Sequence, residues 1–267
     1  MTLPSFKNPP IVELALGVQF EDLPAFSPLH LGCWWQKIRK EFPQCSQQKI
    51  LPKVVEPKDL SKGVGITIQF STTPPNNRTW LLNDTGTKLI QIQDDRFVYN
   101  WRKRDNSDYP RYNAIKKEFL ELLASFNHHL KSEKLGEVKP NICEITYVNH
   151  LRPNSLWKSH SEISKAVALN FEYSDSFLGE PESTNLSLSH PIIENDKTIG
   201  RLRTQINSVY DTKTREPIIA INVSAFGEPE KKTIDGASDF LDIGHKWTVK
   251  GFTSLTRQDA HKVWGKE

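Results

Sequence analysis

The stretch PPIVELALGVQF, residues 9–20, contains the first strand that the sequence predicts. Its two prolines disfavour a helix, and apolar residues then alternate in part from Ile11 to Phe20. Ser27 and Pro28 suit the N-cap and first position of a helix, and apolar residues recur at helical spacing from Leu31 until Pro43. The chain is therefore predicted to open with a strand and an amphipathic helix.

A run of short strands follows this helix. Segments rich in strand-forming residues, separated by turn residues, lie at Val64–Phe70, Thr79–Leu82, Lys88–Gln93 and Arg96–Trp101. They predict an antiparallel meander. A stripe of apolar residues then predicts a long helix from about Tyr109 to Leu130, which can cover the sheet.

The same order of elements recurs in the second part of the chain. The predicted elements are a strand at Ile142–His150, a helix at Leu156–Leu169, strands at Asn185–Leu188, Ile199–Tyr210 and Ile218–Phe226, and a final helix from near Thr233. The sequence thus predicts an α+β fold, with one curved antiparallel sheet or two joined sheets and long helices packed on one face. The recurrence suggests two pseudo-repeats of strand, helix, meander and helix. They would form halves 1–134 and 135–267, intimately packed or joined as one domain.

Composition narrows the class of protein. The 267 residues contain 35 Lys and Arg against 32 Asp and Glu, and 37% of them are hydrophobic. These values are typical of a globular protein and exclude a disordered chain or a polycation. The sequence contains no apolar run long enough to span a membrane and opens without an apolar stretch after basic residues, so we expect a cytoplasmic protein without a membrane partner. Three scattered cysteines predict neither a disulfide framework nor a zinc ribbon.

Both ends of the chain carry a more specific pattern. It consists of Asn8-Pro9-Pro10-Ile11-Val12-Glu13 at the start, and of Leu241-Asp242, His245, Phe252, Leu255-Thr256 and Trp264-Gly265 at the finish. This pattern resembles the opening and closing signatures of a sporadically distributed bacterial family of uncharacterised proteins of about this length. The resemblance brings no catalytic residue and no cofactor. Its scattered distribution implies mobile or defence-associated genes, such as antiphage, toxin–antitoxin or restriction loci.

The closing signature also has a structural interpretation. His245 and Phe252 share an apolar stripe of the last long helix, so His245 is expected to be a core histidine, with a ligand or a base as the alternative. Thr256 to Asp259 is similar to a capping box that would start a short terminal helix. Trp264 on that helix is predicted to anchor the end of the chain.

Motifs for common catalytic chemistry were sought in the sequence. It contains no P-loop, Gly-x-Gly-x-x-Gly, Gly-x-Ser-x-Gly or His-Glu-x-x-His pattern. Glu56-Pro57-Lys58 and Glu230-Lys231-Lys232 have the acidic-x-basic spacing of some metal nucleases, but prolines and a turn argue against a strand at either place. We therefore predict no catalytic residue, no metal site and no cofactor.

A basic and aromatic segment is the most suggestive local cluster. It comprises Trp101, Arg102, Lys103 and Arg104, followed by Arg111, Lys116 and Lys117, and Arg201 and Arg203 form a second basic pair. Basic side chains neutralise phosphates and aromatic rings stack on unpaired bases, so this mixture could bind nucleic acid. In the alternative interpretation the charges are solvated, and Tyr99, Trp101 and Tyr112 face the core.

Three functions remain open from the sequence. The first is a non-enzymatic binding protein that recognises a protein partner through aromatic residues, among them seven tryptophans, or forms a homo-oligomer through a sheet edge. The second is a nucleic-acid-binding protein that uses the region from Trp101 to Lys117. The third is an enzyme of an unrecognised type.

Overall fold

The computed structural model describes residues 2–54, 78–105, 107–169, 177–179 and 181–267. Nine strands lie in these ranges: β1 (Ile11–Phe20), β2 (Gln44–Gln48), β3 (Arg78–Leu82), β4 (Lys88–Gln93), β5 (Arg96–Arg102), β6 (Pro140–Leu151), β7 (Asn185–Glu194), β8 (Lys197–Tyr210) and β9 (Pro217–Gly227). The same ranges contain five α-helices: α1 (Pro28–Ile38), α2 (Tyr112–Ser132), α3 (Ile163–Ala166), α4 (Ile234–Leu255) and α5 (Gln258–Val263).

The strands form a large antiparallel sheet in the order β2-β3-β4-β5-β1-β6-β9-β8-β7. Antiparallel register joins β2 to β3, β3 to β4, β4 to β5 and β7 to β8. Five helices accompany this sheet in the described residues, and the predicted α+β class is confirmed. In the described part of the chain, no helix combines the length and the apolar character needed to cross a membrane.

Most of the predicted elements are found within a few residues of their expected bounds. β1 and β4 have the predicted ends, and Ser27 is the N-cap of α1. α2 begins at Tyr112 rather than near Tyr109, because Pro110 precedes Arg111 and Arg111 has a φ of 71°. The predicted strand Val64–Phe70 lies outside the described residues.

The prediction of a helix at Leu156–Leu169 is wrong. That segment contains a 3₁₀ turn at His160–Glu162 and then only the four residues of α3. Val167, which follows α3, is extended and forms an antiparallel bridge with Thr256. Because this bridge uses backbone N–H and C=O groups of the segment, those groups cannot form the hydrogen bonds of a longer helix.

The chain divides into two compact units that are each assembled from separate segments. The first consists of Met1–Leu14, Ile145–Ala225 and Asp242–Glu267, and the second of Ala15–Glu144 and Phe226–Leu241. The division into two related halves, 1–134 and 135–267, stays a prediction.

An aromatic cluster forms the core of the second unit. Phe97 of β5 lies 6.1 Å from the ring of Trp34 on α1, and 6.1 and 5.5 Å from the rings of Phe119 and Phe126 on α2. The indole Nε1 of Trp34 donates a hydrogen bond of 3.2 Å to Ser125 Oγ, so its polar atom is also paired. Both helices therefore contact the same face of β5.

Buried residues of β9 form much of the core of the first unit. Ile219, Ile221 and Val223 are fully buried. The side chain of Asn149 on β6 is also buried, and its Nδ2 donates a hydrogen bond of 3.1 Å to the Ile221 carbonyl. A side-chain amide inside this apolar core is thus paired with a backbone group.

Candidate functional site

The aromatic residues of the predicted nucleic-acid cluster lie in the core of the second unit. Trp101 and Tyr112 are each only 5% exposed. Trp101 packs against the ring of Tyr109 at 5.3 Å between centroids. As described, the rings of Trp101 and Tyr112 therefore offer no open face on which a base could stack.

The basic residues of the same cluster lie at the end of β5 and at the start of α2. Lys103, Arg104, Arg111 and Lys117 are exposed, whereas Arg102 and Lys116 are partly buried. Arg102 donates from Nε and Nη2 to the Gly86 carbonyl at 3.3 and 3.1 Å. The structure therefore brings these cations to one region of the second unit, where Lys116 Nζ lies 6.0 Å from the centroid of the buried Tyr112 ring.

Trp80 is an aromatic partner that the sequence analysis missed. The guanidinium carbons of Arg78 and Arg102 lie 5.5 and 5.9 Å from its ring centroid. Gln91 on β4 accepts hydrogen bonds from Arg78 Nη1 at 2.9 Å and from Trp80 Nε1 at 3.0 Å, and donates one of 2.8 Å to Asn100 Oδ1. Because side chains alternate along a strand, the sequence predicts that Arg78 and Trp80 lie on one face of β3. Their contacts with Gln91 and Arg102 depend on the register of β3, β4 and β5, which the sequence does not predict.

The second basic pair belongs to the first unit. Arg201 and Arg203 lie on β8, opposite Pro191 and Ser189 of β7. Both arginines are partly buried. Their position two residues apart on one strand places them on the same sheet face.

In the part of the chain that the structure describes, β7 forms one end of the sheet. Nine uncharged residues precede its single charged residue, Glu194. Leu186 and Leu188 are partly exposed, and Asn185, Ser187 and Ser189 are exposed. Pro191 and a bulge at Ile192/Ile193 interrupt the second half of the strand, so the regular part of this edge is Asn185–Ser189.

Exposed apolar side chains lie near both ends of β7. Val209 and Tyr210 follow Asn207 of β8, which pairs with the first residue of β7, and Tyr210 is 61% exposed. Ile193, near the last residue of β7, is also exposed. Of the seven tryptophans, Trp35, Trp80 and Trp247 are partly exposed and the other four are buried, so the expectation of tryptophan at a partner surface stays a prediction.

His245, the histidine of the closing signature, is half-buried. Its Nδ1 lies 2.9 Å from Tyr147 Oη, and the rings are 5.9 Å apart. The next two residues of α4, Lys246 and Trp247, both donate to Glu194 Oε1, at 2.9 and 3.0 Å. These bonds lower the pKa of Glu194, the one from Trp247 most, and they tie α4 to β7.

The other closing-signature residues form an aromatic cluster with the start of the chain. The ring of Phe6 lies 6.2 Å from that of Phe252 and 6.0 Å from that of Trp264. His261 joins the cluster at 5.5 Å from Phe6, and its Nε2 lies 2.8 Å from Thr256 Oγ1. The predicted capping box is not formed, because Thr256 bonds to His261 and Phe252 and Arg257 is the N-cap of α5.

Backbone hydrogen bonds join the same two segments. Lys7 N donates to the Gly265 carbonyl, Asn8 N to Trp264, and Glu267 N to Ser5, all at 2.9 or 3.0 Å. We call residues 5–8 and 264–267 the terminal clasp. Gly265 has a φ of 66°, and a Cβ there would lie 3.0 Å from Lys7 Cβ, so the clasp needs glycine at this position.

The acidic-x-basic segments form no site in the described structure. Glu230, Lys231 and Lys232 lie in the turn before α4, and the segment from Glu56 to Lys58 is outside the described residues. Across the ranges that the structure describes, no three His, Cys, Asp or Glu side chains are grouped so that they could hold a metal ion.

Comparison with known proteins adds little. No protein-family profile and no curated protein matches the chain. Among solved structures it is similar to the crystal structure of the di-domain ARO/CYC StfQ from the steffimycin biosynthetic pathway. That likeness has 8% sequence identity and a TM-score of 0.19, over 71% of this chain and 74% of the other. It is too slight to carry an argument about fold or function.

We predict that Trp264→Ala destabilises the protein by about 3 kcal/mol, the usual cost of removing a buried large aromatic side chain. Trp264 is buried against Phe6 and Phe252, so the loss leaves a cavity in the clasp. Urea unfolding measures the effect, with Val263→Ala at the exposed neighbouring position as the control. Equal stability of the two variants would show that the clasp does not anchor the chain.

We also predict that acid weakens the clasp. Burial lowers the pKa of His261 from 6.5, and the Lys266 ammonium lowers it further, although the Thr253 backbone acts in the opposite direction. Neutral His261 therefore contributes stability above about pH 6.5, and this contribution is lost as the pH falls through the lowered pKa. His261→Gln should flatten the decrease in melting temperature between pH 7.5 and 5, whereas exposed His190→Gln should not. The same pH profile in all three proteins would contradict this assignment.

Proposed function

We propose that the protein is a non-enzymatic binding protein that recognises an extended protein strand, in the first place that of a second copy of itself. The observation that carries this proposal is the edge strand β7, whose regular part, Asn185–Ser189, contains no charge and no proline. Edge strands of this kind accept a further strand through backbone hydrogen bonds.

The sequence of this edge is complementary to itself. Antiparallel pairing of two copies centred on Ser187 places Leu186 opposite Leu188 and Asn185 opposite Ser189. Apolar residues then meet apolar residues, polar residues meet polar residues, and no like charges face each other. Such a two-fold contact closes after two copies.

β2, at the other end of the sheet, is a weaker candidate. Its five residues are followed directly by Lys49, and it is half the length of β7. Short edges and nearby lysines are the common means by which proteins prevent edge pairing. The asymmetry between the two edges therefore favours β7 as the recognition surface.

We further propose that the chain consists of two related halves with their helices on one sheet face. The order strand, helix, meander, helix supports this idea, since it occurs from β1 to α2 and again from β6 to α4. β1 and β6 are neighbours in the sheet. The strands that follow β1 outward are β5, β4, β3 and β2, and those that follow β6 outward are β9, β8 and β7. Duplication of an ancestral unit would produce this arrangement.

The resemblance at the chain ends suggests a cytoplasmic setting in a bacterial defence or toxin–antitoxin locus. Packing of the opening and closing signature segments against each other in the terminal clasp is compatible with one family pattern. A toxin, nuclease or ATPase encoded next to this gene would support the proposal, and neighbours confined to housekeeping functions would count against it.

Ser187→Lys is predicted to disrupt self-association. Two lysines would face each other at the two-fold axis, so the dimer should weaken at least about tenfold, or about 1.4 kcal/mol. Sedimentation velocity over a range of concentrations measures this. Gln205→Lys is the matched control, because Gln205 pairs with Ser187 but lies one strand inside the edge. Wild-type protein that stays monomeric at every concentration would refute self-pairing through β7.

Nucleic-acid binding is a second proposal, supported by the exposed Lys103, Arg104, Arg111 and Lys117. The burial of Trp101 and Tyr112 favours contact with phosphates over stacking on bases. The corresponding prediction is polynucleotide binding that falls steeply between 50 and about 200 mM salt.

The Lys103→Glu/Arg104→Glu variant should lose this binding, whereas the equally charged Lys37→Glu/Lys40→Glu variant should retain it. Filter binding at the two salt concentrations gives the answer. Absence of any complex at low salt would remove nucleic acid from consideration.

A further inference from the structure

A short segment of the second unit, Leu51–Val54, is held by glutamine side chains. At its start, the carboxamide of Gln93 on β4 contacts both backbone groups of Leu51. Gln93 Oε1 accepts a hydrogen bond of 3.0 Å from Leu51 N, and Gln93 Nε2 donates one of 3.1 Å to the Leu51 carbonyl. One side chain therefore binds one residue of the segment without using its side chain.

Gln19 of β1 makes the same pair of contacts at the other end of the segment. Its Oε1 accepts from Val54 N at 2.8 Å, and its Nε2 donates to the Val54 carbonyl at 3.2 Å. Such exchange of both bonds with one residue is what a neighbouring strand provides in an antiparallel sheet. Each glutamine thus takes the place that a single residue of a neighbouring strand would have.

A further hydrogen bond to each carboxamide holds it in one orientation. Arg96 Nη2 donates to Gln19 Oε1 at 2.7 Å, and Gln93 Nε2 donates to Asp95 Oδ1 at 2.6 Å. All four side chains are buried. Because these partners define which amide atom is the donor, the carboxamides are oriented for the segment before it binds.

Two contacts lie between the ends of the segment. Arg96 Nη2 also donates to the Pro52 carbonyl at 2.9 Å, and Lys53 Nζ donates to the carboxylate of Asp22 at 2.6 and 2.8 Å. The bond to Asp22 raises the pKa of Lys53 and keeps it charged. Of the contacts described for Leu51–Val54, the one to Lys53 is the polar contact that depends on side-chain identity.

We propose that Gln19, Gln93, Arg96 and Asp22 form a peptide-recognition site, the glutamine clamp, which the chain's own Leu51–Val54 occupies in the free protein. The clamp binds the backbone at the first, second and fourth positions and selects a cation at the third. Its partner is therefore an extended peptide segment with Lys or Arg at that position, which must displace the chain's own segment. This site is separate from the β7 edge and does not depend on self-association.

The test changes the occupant and leaves the clamp intact. Lys53→Glu places a carboxylate beside Asp22, so the bound segment is weakened while all four clamp residues remain. A fluorescein-labelled, end-capped peptide with the sequence of residues 49–54 should then bind about tenfold more tightly than to wild type, measured by fluorescence polarisation. Lys49→Glu makes the same charge change at an exposed residue outside the segment and should behave as wild type.

A second pair of measurements tests the selection of the cation. In the Lys53→Glu background, Asp22→Asn should weaken binding of the Lys peptide about threefold, and replacing that Lys of the peptide by Glu should also weaken binding to the parent. Asp22 is exposed, so this variant should keep the melting temperature of its parent. If Lys53→Glu folds normally but binds the peptide no better than Lys49→Glu does, the segment is a structural tether and the proposal is wrong.

Discussion

β1 is buried on both faces, and this constraint determines which side chains the centre of the sheet can contain. Leu14 and Leu16 on one face are fully inaccessible, and Ala15 and Gln19 on the other are also buried. At Gly17, a Cβ would lie 3.1 Å from Val98 Cγ2 on the neighbouring β5, so the Val98 side chain would have to move to make room for a larger residue. The strand therefore reads as an apolar run with small residues, as strands covered on both sides do.

Carboxamide side chains occupy several of the polar positions in and near the interior of this fold. Gln19, Gln93, Gln91 and Asn149 all pair with backbone or side-chain partners in the interior or near it. An amide can donate and accept at once, and it has no charge to desolvate. Glutamine and asparagine can thus complete the hydrogen bonds of irregular segments next to the sheet, which an aliphatic core cannot do. This property gives the glutamine clamp its affinity for backbone.

The sequence was sufficient for the α+β class and for most elements, because alternation and helical spacing are local signals. It failed where a distant partner decides the structure. β2 has the polar sequence QCSQQ and is a strand because it pairs with β3. Val167 is extended because it forms a bridge with Thr256. The site residues follow this rule. Nothing in the sequence around Trp80 predicts that two arginines contact its ring. Gln19 and Gln93 look like ordinary polar residues in the sequence, and only the folded structure places them against Leu51–Val54.

The terminal clasp also constrains how the protein can be made. Phe6 contacts the rings of Phe252, His261 and Trp264, so during synthesis these contacts cannot form until residues more than 240 positions further along have left the ribosome. Closing a loop of this length has a large entropic cost, which is offset only when the segments between are already ordered. The clasp is therefore expected to form late in folding, after the segments between its two parts are ordered.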